Sequence, residues 1–171
     1  MGHRIRNLTH GQLTILDGTS PTPNSLIAPI EEGNLRFSVR RPVKVIMNRG
    51  RVDSFAEGNE EPMTVSFTAK FEEWTGRTLT AYASVPSVPD ALRKKGNASA
   101  WASSLQCGPY CVDLRFDLSN PCTASGIDQT ERLTFPDFHA DETNFEEGDD
   151  SNMLPISGVC LALEPTAVRG V

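Results

Sequence analysis

The sequence lacks the features that mark several large classes of protein. No stretch approaches the roughly 20 consecutive apolar residues that cross a bilayer, and the first residues lack the apolar centre of a signal peptide. There is no basic excess either, since 16 Lys and Arg stand against 22 Asp and Glu for a net charge of −6. We therefore expect a protein made in the cytoplasm, with no membrane association and no general affinity for nucleic acid.

Catalytic motifs are missing as well. The sequence has no glycine-rich phosphate loop, no HExxH, no nucleophile elbow and no calcium loop. The acidic stretch 137–150 lacks the spacing that calcium coordination needs and is typical of a solvated loop. A Cys/His hydrolase would pair Cys111 with His139, but nothing in the sequence orients the base. We expect no catalytic residues, no enzymatic activity and no cofactor.

Cysteines are few, and their spacing contains a single short pair where a zinc ribbon shows two. A reducing compartment also disfavours structural disulfides, so small buried hydrophobic residues are the default interpretation. A metal or redox role stays open, with the 107/111 pair as its centre. The weak candidate metal ligands are Cys107, Cys111, Cys122 and Cys160.

The sequence does contain several runs in which apolar and polar residues alternate, as they do in β-strands. Its length of 171 residues fits a single domain. Residues 63–71 alternate apolar and polar positions strictly, which predicts a strand with one solvated face. The same period recurs at 35–40, 43–45 and 112–118, and further strands are expected at 130–138 and 154–163, the last of them central. Half-buried strands of this kind are typical of antiparallel sheets.

The remaining segments complete the predicted architecture. One short helix is expected within 86–104, ended by Gly96, with Trp74 and Trp101 as core anchors beside it. Residues 1–33 are predicted to form an irregular N-terminal arm, and residues 40–62 a projecting hairpin. The fold class is therefore mostly β: an antiparallel β-sandwich or open barrel with one short α-helix, an extended arm and hairpin loops.

Charge is distributed unevenly along the chain. Residues 1–51 hold eight basic and three acidic side chains, a balance of +5, which leaves −11 for the rest of the total of −6. Such polarity suits head-to-tail association of identical copies, or contact between the two regions inside one copy. The predicted hairpin carries Lys44, Asn48, Arg49 and Arg51 on its polar face, so it is either a solvated edge or a contact with a neighbouring copy.

The order of these elements resembles the tail tube proteins of long-tailed, siphovirus-like bacteriophages. The resemblance rests on an irregular arm, the alternating run 35–40, a turn-rich hairpin that ends in 58–62, and the strand 63–71. It continues with a short helix, the strand 111–118 and a late acidic strand pair before 159–163. The resemblance covers most of the chain and depends on pattern, without a diagnostic motif.

The resemblance implies a structural virion protein that stacks as hexameric rings into the hollow tube through which phage DNA passes without specific binding. Tape measure, terminator and distal tail proteins would be the other partners, and the tail the final location. Two sets of residues follow from it. The contact candidates between rings or subunits are Arg40, Arg41, Lys44, Asn48, Arg49, Arg51 and Asp53, and the channel-facing candidates are Thr64, Ser66, Thr68, Asp113 and Asp117.

Two other functions fit the same pattern. A related tail component, such as a tail terminator or a distal tail protein, would share the fold and form a single ring. A monomeric β-barrel that binds a small molecule would place Trp74 and Trp101 in its pocket.

Overall fold

The computed structural model describes residues 11–30, 34–76, 85–118, 131–148 and 152–169. The first ten residues of the predicted arm, with His3 and His10, and also Cys122, lie outside the described residues. The described chain forms ten strands, one α-helix and one 3-10 turn (Gly96–Ala98). They are β1 (Gly11–Leu16), β2 (Ser25–Ala28), β3 (Arg36–Ser38), β4 (Val43–Asn48), β5 (Arg51–Glu57), β6 (Met63–Lys70), α1 (Val88–Arg93), β7 (Val112–Leu118), β8 (Glu131–Thr143), β9 (Met153–Cys160) and β10 (Thr166–Arg169).

Eight of these strands form one antiparallel sheet. Seven follow the order β2-β1-β7-β8-β9-β6-β3, and β10 pairs with the first part of β8. Strand β9 lies between β8 and β6, which confirms its predicted central position. The fold is mostly β and antiparallel with one short helix, as predicted, and the sheet does not close into a barrel.

The hydrophobic core lies on one face of this sheet. In β6 the odd positions Met63, Val65, Phe67 and Ala69 are all at most 2% exposed, because the pleat turns them to that face while the even positions point away. The helix α1 contributes Val88, Ala91 and Leu92 to the same core. Trp101 is buried there too, as predicted, whereas Trp74 is 45% exposed and has the Arg93 guanidinium over its ring.

Helix α1 occupies the predicted region and is capped at both ends. Ser87 Oγ accepts a hydrogen bond from the backbone N–H of Asp90, and Lys94 adopts a left-handed conformation with φ of 54° that ends the helix. The helix therefore ends at Arg93, three residues before Gly96, the predicted terminator. The Asp90 carboxylate in turn accepts a hydrogen bond from the backbone N–H of Gly76 at 2.7 Å, which ties the helix to the segment after β6.

The predicted arm differs from the structure over residues 11–30. Strands β1 and β2 belong to the main sheet, and Leu13 and Ile15 on β1 are fully buried in the core. The partner that makes β1 a strand is β7, about a hundred residues later, which local sequence does not reveal. The connection from β1 to β2 is closed by Asp17, which is 2% exposed. Its carboxylate accepts five hydrogen bonds of 2.6–3.2 Å, from Thr19, Asn24 and Ala102.

Strand β8 is longer than predicted because a β-bulge lets it bend and continue. Residues 136 and 137 together stand opposite Asp113, and Asp137 has a positive φ of 52°. Beyond the bulge the strand pairs with β9 as far as Thr143, so part of the stretch predicted as a solvated loop is strand. Among the described residues, no helix is both long and apolar enough to span a membrane.

Candidate assembly surface

The clearest candidate surface is the hairpin formed by β4 and β5. The two strands pair with each other and with no strand of the main sheet, and nearly all of their residues are exposed. Arg49 and Gly50 form the turn with φ of 48° and 80°. Two positive φ values are typical of the type I′ turn, whose twist matches that of the flanking strands. The hairpin predicted from the Asn48-Arg49-Gly50 signal therefore exists, and it forms a separate two-stranded sheet.

A β-bulge gives this hairpin one continuous apolar face. Val45 pairs with Phe55 and Met47 with Val52, and the register shift between them leaves Asp53 as the extra residue. Val52 and Phe55 are three positions apart in sequence, and the bulge brings both to one face. We call this the apolar hairpin face; it consists of Val43, Val45, Met47, Val52 and Phe55, which are 47–70% exposed.

The opposite face and the tip of the hairpin are basic, as the sequence predicted. Lys44, Asn48 and Arg51 lie on the polar face with Ile46, Ser54 and Ala56, and Arg49 lies in the turn. Within the described part of the chain, Lys44, Arg49 and Arg51 form no ion pair. These three cations are therefore available to a partner.

At the base of the hairpin the predicted contact arginines already have partners in their own chain. Arg41 forms an ion pair with Glu164, and Arg40 Nη1 lies 3.6 Å from Glu61 Oε2. The backbone N–H of Gly58 donates to the carbonyl of Pro42 at 2.8 Å. An open groove of about 680 Å³ lies beside these contacts, lined by residues that include Val39, Val43, Leu163 and Glu164. Arg41 thus contacts the segment after β9, whereas Arg40 pairs with a residue of the connection from the hairpin to β6.

Three of the channel-facing candidates share one polar surface. Thr64, Ser66 and Thr68 alternate with the core residues of β6 and so point away from the core. Ser66 stands opposite Ser157 on β9 and Arg36 on β3, so hydroxyl groups dominate this side of the sheet edge. The structure therefore brings these three residues together as a hydroxyl-rich strip with the cationic Arg36 beside it.

The other two candidates, Asp113 and Asp117 on β7, also point away from the core but lie three strands from β6, about 14 Å at ordinary strand spacing. Asp117 accepts a hydrogen bond from Arg132 Nε at 2.6 Å, and its other oxygen lies 3.2 Å from Arg115 Nε. Its charge is therefore neutralised locally. The hydrogen bond to Asp117 raises the pKa of Arg132 above its ordinary value, and the negative charge of Asp117 adds to the effect.

Asp113 is half-buried beside a second carboxylate. Its Oδ1 accepts a hydrogen bond from the backbone N–H of Asp137 at 3.0 Å, while Ser104 Oγ donates to Asp137 Oδ1 at 2.9 Å. Burial, with the Asp137 charge adding to it, raises the pKa of Asp113 above the ordinary carboxyl value, although its hydrogen bonds oppose the shift. This acid is part of the structure of the bulge.

Two of the three described cysteines, Cys111 and Cys160, have the environment of packing residues. Cys111 and Cys160 are buried, and Cys107 is exposed. Burial raises the pKa of Cys111 and raises that of Cys160 to about 12, so both thiols stay protonated near neutral pH. His139, the conceivable catalytic base, has Nδ1 2.9 Å from the carbonyl oxygen of Tyr110. Among the described residues no group of three or more His, Cys, Asp or Glu side chains is placed to hold a metal ion.

Comparisons with known proteins find similar chains among solved structures. No protein-family model matches the sequence, and no curated protein matches it. Among solved structures, the chain is similar to one in the cryo-EM structure of the sheath/tube terminator of PVC, an extracellular contractile injection system, in its extended state. The TM-score is 0.57 at 7% identity over 98% of each chain. A chain of the anti-feeding prophage (AFP) baseplate gives a TM-score of 0.49 at 9% identity, over 100% of this chain and 97% of that one.

Identity this low shows a shared fold. The chain shares this fold with a chain of an extracellular contractile injection system, and the likeness is one of fold. The similar structure is of a terminator, so the narrower resemblance to a siphovirus tail tube subunit is not shown.

Sequence reasoning found the charged residues of the hairpin and missed its apolar face. Val43, Val45 and Met47 alternate on β4, which was a usable signal. Val52 and Phe55 do not alternate with one another, and only the bulge at Asp53 shows that they join the same face.

Proposed function

We propose that this protein is a structural subunit of a phage-tail-like assembly and that it acts as a tail terminator, forming one ring of identical copies. The observation that carries the proposal is the apolar hairpin face, whose five side chains are left uncovered by the described residues of their own chain. Soluble monomers rarely expose a contiguous apolar patch of more than a few hundred Å², and such patches mark interaction sites. A β-hairpin that presents this patch is suited to contact between subunits.

Two further observations agree with self-association. The sheet ends in open edges at β2 and β3, where backbone N–H and C=O groups have no strand beside them in the described chain. The cations Lys44, Arg49 and Arg51 of the hairpin have no ion-pair partner among the described residues. A contact between unlike surfaces of identical subunits closes into a ring when its rotation allows, and otherwise builds a filament.

The likeness to a terminator structure favours the single ring over the stacked tube that the tail-tube resemblance implies. In a ring of this kind the hydroxyl-rich strip of Thr64, Ser66 and Thr68 is our candidate for the channel lining, past which DNA slides without specific binding. The expected number of six copies comes from the tail-tube resemblance. The other tail proteins, in the assembled virion tail, are the expected partners.

Electron microscopy of the purified protein at rising concentration tests this proposal. Rings of uniform diameter and constant thickness are the expected result, and their top views give the number of copies. Tubes that lengthen with concentration would contradict the terminator function and would show that the protein is a stacked tube subunit. A sedimentation coefficient that stays monomeric at every concentration would contradict both and favour the monomeric β-barrel.

A further inference from the structure

The end of the sheet that lies away from the hairpin carries the opposite charge. Residues 141–147, which we call the acidic segment, contain Asp141, Glu142, Glu146 and Glu147 and no basic residue. All four acids are exposed, and in the described part of the chain Glu146 and Glu147 form no ion pair. The charge of these two glutamates is therefore not neutralised within the described chain.

The acidic segment has a defined backbone position and an exposed aromatic ring. Glu146 and Met153 exchange backbone hydrogen bonds of 2.9 and 2.8 Å, and Asn144 N–H donates to the carbonyl of Pro155 at 2.9 Å. Phe145 packs edge-to-face on Phe71 with ring centroids 4.9 Å apart, yet it is still 49% exposed. The segment thus offers an apolar ring beside exposed carboxylates.

Strand β6 separates this surface from the hairpin. Its first residue, Met63, pairs with Cys160 and follows the hairpin by a few residues, whereas its last residue, Lys70, pairs with Met153. Met153 is also the bridge partner of Glu146. Eight residues of strand span about 25 Å. The exposure of the hairpin residues shows that no described part of the same copy covers them.

We propose that the apolar hairpin face of one copy docks against the acidic segment of a second copy, so that subunits join head to tail. Phe55 and its neighbours would then cover Phe145, while Arg49 in the turn, and the long Arg51 side chain reaching round the tip from the polar face, would pair with Glu146 and Glu147. Complementary charge steers such an encounter and sets its register, while apolar contact supplies most of the affinity. This inference rests on the proposed self-association and names the surface that receives the hairpin.

A charge swap tests the docking directly. Arg49→Glu with Arg51→Glu reverses the tip, Glu146→Lys with Glu147→Lys reverses the acidic segment, and a third variant carries all four changes. Lys95→Glu is the control, since it reverses one exposed cation after α1 and changes the net charge by half as much as the tip reversal does. Sedimentation velocity gives the concentration of half-assembly for each.

Each double reversal should raise the concentration of half-assembly about tenfold, the effect of losing two surface ion pairs of ordinary strength. The fourfold variant should return close to the wild-type value, and the control should leave that value unchanged. Circular dichroism verifies that each variant is folded. If the fourfold variant assembles no better than the double variants, or the acidic-segment variant assembles like wild type, the hairpin docks elsewhere and only this inference fails. A wild-type protein that never assembles overturns the proposed function as well.

Discussion

Strand β6 and the β4–β5 hairpin have similar patterns of apolar residues, but these residues are buried in β6 and exposed in the hairpin. In β6 every apolar position of the alternation is at most 2% exposed, covered by the core and by α1. In the hairpin the corresponding face is 47–70% exposed and nothing in the described chain covers it. The comparison teaches that alternation predicts an apolar face but not the molecule that covers it: the same copy for β6, and on our proposal another copy for the hairpin.

The largest expected effect separates these two faces with the same substitution. Phe67→Ala on β6 removes a core ring and should lower the free energy of unfolding by about 3–5 kcal/mol. Phe55→Ala on the hairpin removes a ring that is 70% exposed and should change it by less than about 0.5 kcal/mol, because little area returns to water. Urea denaturation of both variants, below the concentration of assembly, measures the difference; equal losses would mean that the hairpin is buried in the monomer.

A second contrast concerns acids, and its effect is smaller. Asp17→Asn should cost about 2 kcal/mol, since an amide cannot accept all the hydrogen bonds that the buried carboxylate accepts. Glu147→Gln, on an exposed acid with no ion pair in the described chain, should leave the free energy of unfolding unchanged. Thermal unfolding at neutral pH gives both values. A loss at Glu147 as large as that at Asp17 would show that the acidic segment stabilises the monomer.

Asp17 also predicts a pH dependence. Burial by itself raises the pKa of this carboxyl, but the bonds from Thr19, Asn24 and Ala102 outweigh burial and hold the pKa below its ordinary value of 3.8. The stability that these bonds supply is complete above that value and is lost as the pH falls through the lowered pKa of the folded state. Acid unfolding of wild type and Asp17→Asn should therefore converge at low pH; parallel curves would contradict this origin of the difference.

The sequence predicted those strands that can be recognised from their own alternation of apolar and polar residues, without knowing which strand they pair with. The alternation at 112–118 coincides with the bounds of β7, and the turn signal at Asn48-Arg49-Gly50 marked the hairpin. Strands β1 and β2 escaped because their pairing with each other and with distant β7 makes them strands, while Pro, Thr and Ser around them are typical of an arm. The bulges at Asp53 and Asp137 depend on cross-strand register, which no single segment encodes.

The same limit applied to the candidate site. Net charge and its position along the chain pointed to the hairpin, because charge can be counted from sequence alone. The ion pairs that occupy Arg40 and Arg41 involve Glu61 and Glu164, and only the tertiary structure shows Glu164 beside the hairpin base. The sequence therefore identified the hairpin, and the structure separated its arginines that form ion pairs from those that form none in the described chain.

The two turn residues of the hairpin provide a further test of how stable the hairpin is by itself. Arg49 has φ of 48°, which costs an ordinary residue more than Asn, the residue preferred in type I′ turns. Arg49→Asn should stabilise the hairpin by about 0.5–1 kcal/mol, and Gly50→Ala, at φ of 80°, should destabilise it by about 1 kcal/mol. Hydrogen exchange of the β4 and β5 amides measures both changes. Faster exchange in Arg49→Asn would contradict the assigned turn.

The smallest effect is expected at Asp113, in the sheet body. Burial raises its pKa, so folding favours the protonated form; that contribution is present below the ordinary value of 3.8 and is lost as the pH rises through the raised pKa. Asp113→Asn keeps an oxygen for the Asp137 N–H and should stabilise the protein at neutral pH by less than about 1 kcal/mol. Thermal unfolding at neutral and acidic pH checks the sign: a gain confined to acidic pH would contradict it.

The central claim is that another copy of this chain covers the apolar hairpin face. Sedimentation velocity of wild type and of the double variant Val45→Ser with Phe55→Ser tests it most directly, because both side chains are exposed in the single copy. The account predicts that wild type assembles with rising concentration, while the variant stays monomeric and unfolds at nearly the same temperature as wild-type monomer. A variant that assembles as wild type does would contradict the claim.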